Sequence, residues 1–241
     1  MTILHGLFGS GRNWNVIARR LSEQARVWVP DLRNHGASPH SEPMTYPAMA
    51  ADVRALLDEQ GIERSDMIGH SMGGKAAMWL ALTEPERVNK LVVVDIAPVR
   101  YAHSFRNIIR TLRRLPLDHV TGRADADGWL AQHIPELALR QFLLQNLIRR
   151  ENRSLWRINL DGIERALPAL MAFPEAGRVR PFHGKVLFVA GGRSNYILPE
   201  HTVVIRRLFP HACIERLPDA GHWLHSEQPE QFMNVVQAFL T

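Results

Sequence analysis

Gly69-His70-Ser71-Met72-Gly73 sets a serine between glycines two residues before and two residues after it. That is the G-x-S-x-G spacing of a nucleophile elbow, in which the hydroxyl stands on a tight turn from strand to helix. Side chains at the two flanking positions would collide with neighbouring backbone on such a turn, and Gly74 extends the same small-residue environment. The chemistry would be acyl transfer. A serine hydroxyl is a weak nucleophile until a base takes its proton, and a histidine titrating near neutrality suits that task.

Of the twelve histidines, His222 lies in Asp219-Ala220-Gly221-His222-Trp223, after the last expected strand and before the closing helix. In the chain order Ser, acid, His, the base falls there. His225, three residues on, is expected to begin the final helix or to pack beside the site. His5, His35 and His70 flank Gly or Ser in turns and read as local hydrogen-bonding residues. These histidines lack the H-E-x-x-H or similar spacing of a metal site, so no metal and no cofactor is expected.

The oxyanion formed on attack needs N–H donors held in advance, one of them from the residue after the nucleophile, Met72. The second is expected from His5-Gly6-Leu7-Phe8-Gly9, a loop directly after an apolar run. The Leu7 amide is the first choice and the Phe8 amide the alternative. Phe8 and Trp223 are expected to touch substrate.

The elements that must position these residues follow from hydrophobic patterning. Residues 2–4, 27–29, 66–69, 91–94 and 186–189 form short, mostly apolar runs without alternation, as strands covered on both faces should be, and residues 214–217 are expected to be the last strand. Residues 14–24, 46–60, 72–83, 199–208 and 228–240 carry apolar residues at helical spacing. That order predicts a mostly parallel, doubly wound sheet of α/β class. From residue 99 to 181 the strand signal stops and helical segments follow at 104–115, 128–134, 136–150 and 155–171. The expected organisation is a core domain of residues 1–98 and 182–241, with an all-helical lid insertion at 99–181 over the crevice where such sheets bind ligands.

Length and composition agree with this frame. The 241 residues suffice for one large domain, and 46% hydrophobic with 22% charged residues is ordinary for a soluble globular chain. No apolar run approaches the length of a membrane span, and the N-terminus has no leader pattern, so a cytoplasmic protein is expected. The single cysteine, Cys213, can form no intrachain disulfide and reads as a buried, inert thiol. A net charge of +5 invites a nucleic-acid reading, but no Lys/Arg run interleaved with aromatics supports it. Residues 100–180 hold 14 Arg against 8 acidic residues, so the excess charge lies in the expected lid.

Together, His5-Gly6-Leu7-Phe8-Gly9, Asp31-Leu32-Arg33-Asn34-His35-Gly36-Ala37-Ser38, the run from Gly69 to Lys75, and Ala220-Gly221-His222-Trp223 resemble the small YbfF-type esterases of the α/β-hydrolase family. The resemblance covers nearly the whole chain. It implies a lid after the sixth strand of the family's usual sheet. It also implies that the hairpin strands that usually precede the H-G strand are absent, because this chain opens at Met1-Thr2-Ile3-Leu4-His5. Many α/β-hydrolases carry the acid after the strand represented here by 186–189, where this chain has Gly191-Gly192-Arg193-Ser194 and no acid. The esterase branch instead places it as Asp95 stands here, at the end of strand 91–94, and Asp95 takes the role of orienting His222. The competing assignment for Asp95 is a helix or turn cap. Asp219, only three residues from His222, reads as a turn residue.

The expectation is a serine esterase or thioesterase acting on a small-molecule acyl ester, as a monomer or homodimer. Serine at the elbow disfavours the alkyl-enzyme chemistry that aspartate performs on this fold. Perhydrolysis or C–C bond hydrolysis with the same triad, and a ligand-sensing protein on the same fold, are the alternatives.

Overall fold

The computed structural model describes all residues except 103, 152 and 176–178. Five strands, β1 (Thr2–Leu4), β2 (Ser65–His70), β3 (Val88–Val94), β6 (Lys185–Gly191) and β7 (Ala212–Leu217), form one sheet in the order β1-β2-β3-β6-β7. Every neighbouring pair in it is parallel. Among the described residues this sheet has no antiparallel strand.

The apolar runs produce the sheet because alternate side chains feed two separate cores. Leu91 and Val93 of β3, with Phe188 of β6, pack against α2 (Tyr46–Glu59), α3 (Met72–Thr83) and α8 (His201–Leu208). Val92 and Val94, with Ile68, Leu187 and Val189, pack on the other face against α1 (Asn15–Leu21) and α10 (Pro229–Leu240), where Trp14 and Phe232 are buried. The expected helix 72–83 matches α3 at both ends.

Three expectations need correction. Residues 27–29 form no strand but a single bridge, Thr2 to Trp28. Pro30 follows at once and has no N–H to extend a ladder. Residues 99–181 are not all helical. After α4 (Arg106–Arg114), α5 (Arg123–Leu130) and α6 (Leu137–Leu144) comes an antiparallel hairpin, β4 (Leu147–Arg150) with β5 (Arg153–Trp156), and then α7 (Leu160–Met171). The run expected to be helical at 136–150 contains β4, and the one expected at 155–171 begins inside β5. Glu151, at φ +47°, makes the reversal between them. Cys213 is exposed. It lies on β7, the last strand in the order of the sheet, and it points away from the core side occupied by Ala212.

No described helix is long and apolar enough to cross a membrane. The carboxyl ends of β1, β2, β3, β6 and β7 lead directly into the loops holding Leu7, Ser71, Asp95, Ser194 and His222. Ligands gather at that edge in open parallel sheets.

Candidate active site

Ser71 joins the end of β2 to the start of α3 with φ +51° and ψ −117°. Few non-glycine residues hold that conformation, and here the surroundings enforce it. The Ser71 N–H donates to the Val94 carbonyl at 3.0 Å. A Cβ on Gly73 would run into the Leu4 and His5 carbonyl oxygens, and one on Gly69 into the Gly73 carbonyl. The two glycines therefore let α3 sit directly against β1 and β2, which drives the serine out on the turn.

Asp95 follows β3 with φ +48° and is fully buried. Its carboxylate is surrounded by donors. Oδ2 accepts from His222 Nδ1 at 2.7 Å and from the Ser194 hydroxyl, and Oδ1 accepts the Gly191 N–H at 3.0 Å. The donation from Nδ1 leaves Nε2 of His222 as the basic nitrogen of the ring. The His222 ring is held as well as oriented: Tyr196 stacks on it at 4.1 Å, and His70 Nε2 donates to its backbone carbonyl at 2.9 Å. Asp219 is exposed and forms a turn after β7.

The loop after β1 is fixed at Phe8, which has φ +62°. The Phe8 N–H donates to His35 Nε2 at 3.1 Å, and its carbonyl accepts from Asn146 Nδ2 at 2.7 Å. The Phe8 amide is thereby committed to His35. The Met72 N–H, at the first position of α3, has no partner within the helix.

Ser71 and His222 line one cavity of about 220 Å³ together with Gly6, Leu7, Phe8, Phe105, Phe142 and Trp223. Phe8 is itself buried, and Trp223 packs against Phe142 at 5.4 Å between ring centres. A larger cavity of about 330 Å³ lies between Arg33, Ser38 and α2. It holds none of these residues, and its charged lining is Asp31 with the Arg33–Asp52 ion pair.

The model of the alpha/beta hydrolase fold family matches residues 1–229. The chain belongs to that family. It is 43% identical to the sn-1-specific diacylglycerol lipase ABHD11 of Mus musculus, over 100% of this chain and 80% of that one. It is 35% identical to Esterase YbfF of Escherichia coli (strain K12), over 100% of this chain and 92% of that one. The solved structure of a marine microorganism esterase superposes with a TM-score of 0.96 at 39% identity, over 99% of this chain and 94% of that one.

In this α/β-hydrolase the structure brings Ser71, His222, Leu7, Phe8 and Trp223 to one cavity, with Asp95 directly behind His222. Sequence reasoning missed Ser194, Tyr196 and Asn146. The signal for Ser194 was present: it stands just after the strand end where many relatives carry the acid, so a side chain there faces the same point. Ser194→Ala removes one of three donors to a buried carboxylate. It is expected to lower kcat/KM about tenfold, the effect of one charge-assisted hydrogen bond, as read from steady-state ester hydrolysis.

Four other histidines, His5, His35, His70 and His225, serve the scaffold as buried neutral rings. His5 Nδ1 donates to the Gly6 carbonyl while Nε2 accepts the Leu32 N–H at 2.9 Å, and His35 Nδ1 donates to the Arg33 carbonyl at 3.0 Å. His225, expected near the final helix, lies in the short helix α9 (Leu224–Glu227) and stacks on Trp14 at 4.2 Å. Burial pushes the pKa of His35 down to about 3, with His5 adding to the push, and that of His225 down to about 3, with His222 adding. Burial likewise lowers His5 and His70.

The unfolded chain therefore binds more protons than the folded one between pH 6.5 and 3, so stability falls on acidification through that window. Chemical denaturation at pH 7 and pH 4.5 is expected to differ by about 5 kcal/mol from His35 and His225 alone. Equal stability at the two pH values would mean that these rings are not buried neutral.

Proposed function

We propose that the protein cleaves carboxylic ester or thioester bonds of small acyl substrates through an acyl-enzyme on Ser71. His222 Nε2 takes the Ser71 proton as Oγ attacks the carbonyl carbon, and the Leu7 and Met72 amides receive the oxyanion. His222 then returns the proton to the leaving alcohol or thiol. Water, deprotonated by the same nitrogen, releases the acid and restores Ser71. Asp95 fixes the tautomer of His222 and offsets the charge of the imidazolium, with the Ser194 hydroxyl and the Gly191 N–H holding the carboxylate in place. Phe8 and Trp223 are the substrate contacts, in a lid-and-core arrangement in which residues 99–181 cover a core of 1–98 and 182–241.

The observation that carries this reading is the buried Asp95 within 2.7 Å of His222 Nδ1, on a ring that shares its cavity with Ser71. The esterase and lipase names of the relatives agree with it. The test is hydrolysis of p-nitrophenyl esters of increasing acyl length with Ser71→Ala beside the wild type. Turnover that depends on Ser71 supports the proposal, and turnover that survives the substitution contradicts it.

A further inference from the structure

Lys75 lies one turn beyond Ser71 on α3 and is 1% exposed. A buried ammonium is costly wherever an apolar residue would fill the same space. Here burial pushes its pKa down to about 7, with Arg100 adding to the effect. What holds the charge is a ring of carbonyls. Nζ donates to Ala172 at 2.7 Å, Val99 at 2.9 Å, Met171 at 3.2 Å and Leu170 at 3.5 Å, and it lies over the rings of Tyr101 and Tyr46 at 4.8 and 5.5 Å.

Three of the four carbonyls close the C-terminus of α7, where a helix leaves acceptors unpaired and favours a cation. The fourth, Val99, belongs to the chain leaving β3. Lys75 thus ties both ends of the 99–181 segment to the helix that begins at Ser71. Two further bonds reinforce the tie. The Tyr46 hydroxyl donates to Leu170 O at 2.5 Å, and the Tyr101 N–H to Met171 O at 2.9 Å. Under this tie, between Ser71, Met72, Lys75, Tyr46, Tyr101 and Leu170, remains a chamber of about 20 Å³. That is room for about one water or methyl group.

We propose that Lys75 is a specificity-determining residue: by latching both ends of the lid to α3 it keeps the chamber beside Ser71 shallow and restricts the enzyme to short acyl chains. The proposal rests on the acyl-enzyme reading above. In this arrangement the acyl chain enters the chamber and the cavity of about 220 Å³ takes the leaving group, so a longer acyl chain has to part Val99 and residues 170–172 from α3, which breaks the carbonyl ring.

The test compares kcat/KM for p-nitrophenyl acetate, butyrate and octanoate in the wild type, Lys75→Met and Tyr46→Phe. The octanoate-to-acetate ratio is expected to rise about tenfold in Lys75→Met and a few-fold in Tyr46→Phe, because selectivity follows differential transition-state binding. A ratio within about twofold of wild type in folded Lys75→Met overturns the proposal, since a purely structural lysine would change stability and not selectivity. If Lys75→Met does not fold, the ratio in Tyr46→Phe decides in the same way. Amide hydrogen exchange at Tyr101 gives a readout independent of turnover: acceleration of about tenfold in the Lys75 variant supports the latch, and unchanged exchange overturns it. Failure of the Ser71 reading has a different signature, ester turnover that persists in Ser71→Ala.

Discussion

Ser71→Ala is expected to lower kcat on p-nitrophenyl esters by about 10⁴-fold or more, because removing the nucleophile of a covalent mechanism disables every step that depends on it. The fold should survive, since alanine places the same Cβ on the φ +51° turn that Gly69 and Gly73 enforce. Far-UV circular dichroism and the thermal midpoint should match wild type to within the effect of one lost hydroxyl. KM is informative too. A substrate held by the cavity of Leu7, Phe8, Phe142 and Trp223 keeps its ground-state contacts, so the loss should fall on kcat. A variant retaining more than about one-tenth of wild-type turnover would place the nucleophile elsewhere.

The second large effect concerns Asp95→Asn, expected to reduce kcat by about 10³–10⁴-fold with little change in KM. The side chain keeps its shape, but its chemistry is reversed on one side. In the wild type both oxygens accept, Oδ2 from His222 Nδ1 and the Ser194 hydroxyl, Oδ1 from the Gly191 N–H. The Gly191 N–H demands an acceptor, so the asparagine carbonyl oxygen should turn to it and the amide nitrogen should face His222. An N–H then meets Nδ1, the ring moves its proton to Nε2, and the base is no longer available to Ser71. Raising the pH should not restore activity, because the fault lies in the tautomer and not in a titration. A loss smaller than about tenfold would contradict the role given to Asp95.

What was legible in the sequence and what was not divides along physical lines. Ser71 and the α3 helix could be placed because the elbow is a local device: strand, tight turn and helix are adjacent in the chain, and the glycine spacing is fixed by their contact. His222 could be placed by chain order and by its loop between a strand and the closing helix. Strands β3 and β6 showed as unbroken apolar runs, Leu91–Val94 and Val186–Val189, because both faces are buried there.

Asp95 needed the family resemblance, since nothing within one sequence distinguishes it from a capping aspartate. Ser194 and Asn146 were not found because their partners, Asp95 and Phe8, are 99 and 138 residues away. The β4–β5 hairpin was missed because its strands are four residues long and lie next to helices, where short apolar runs fit either period. Cys213 was read as buried from residue type alone, whereas its exposure follows from β7 being an edge strand.

The most direct test of the central claim is covalent trapping. A fluorophosphonate forms a stable adduct only with a serine activated by its base and held against an oxyanion site. Intact mass spectrometry followed by peptide mapping should find one adduct per chain, on the peptide carrying Gly69-His70-Ser71-Met72-Gly73, and none in Ser71→Ala. Esterase turnover in a protein that takes no adduct, or that takes it on another residue, would contradict the account.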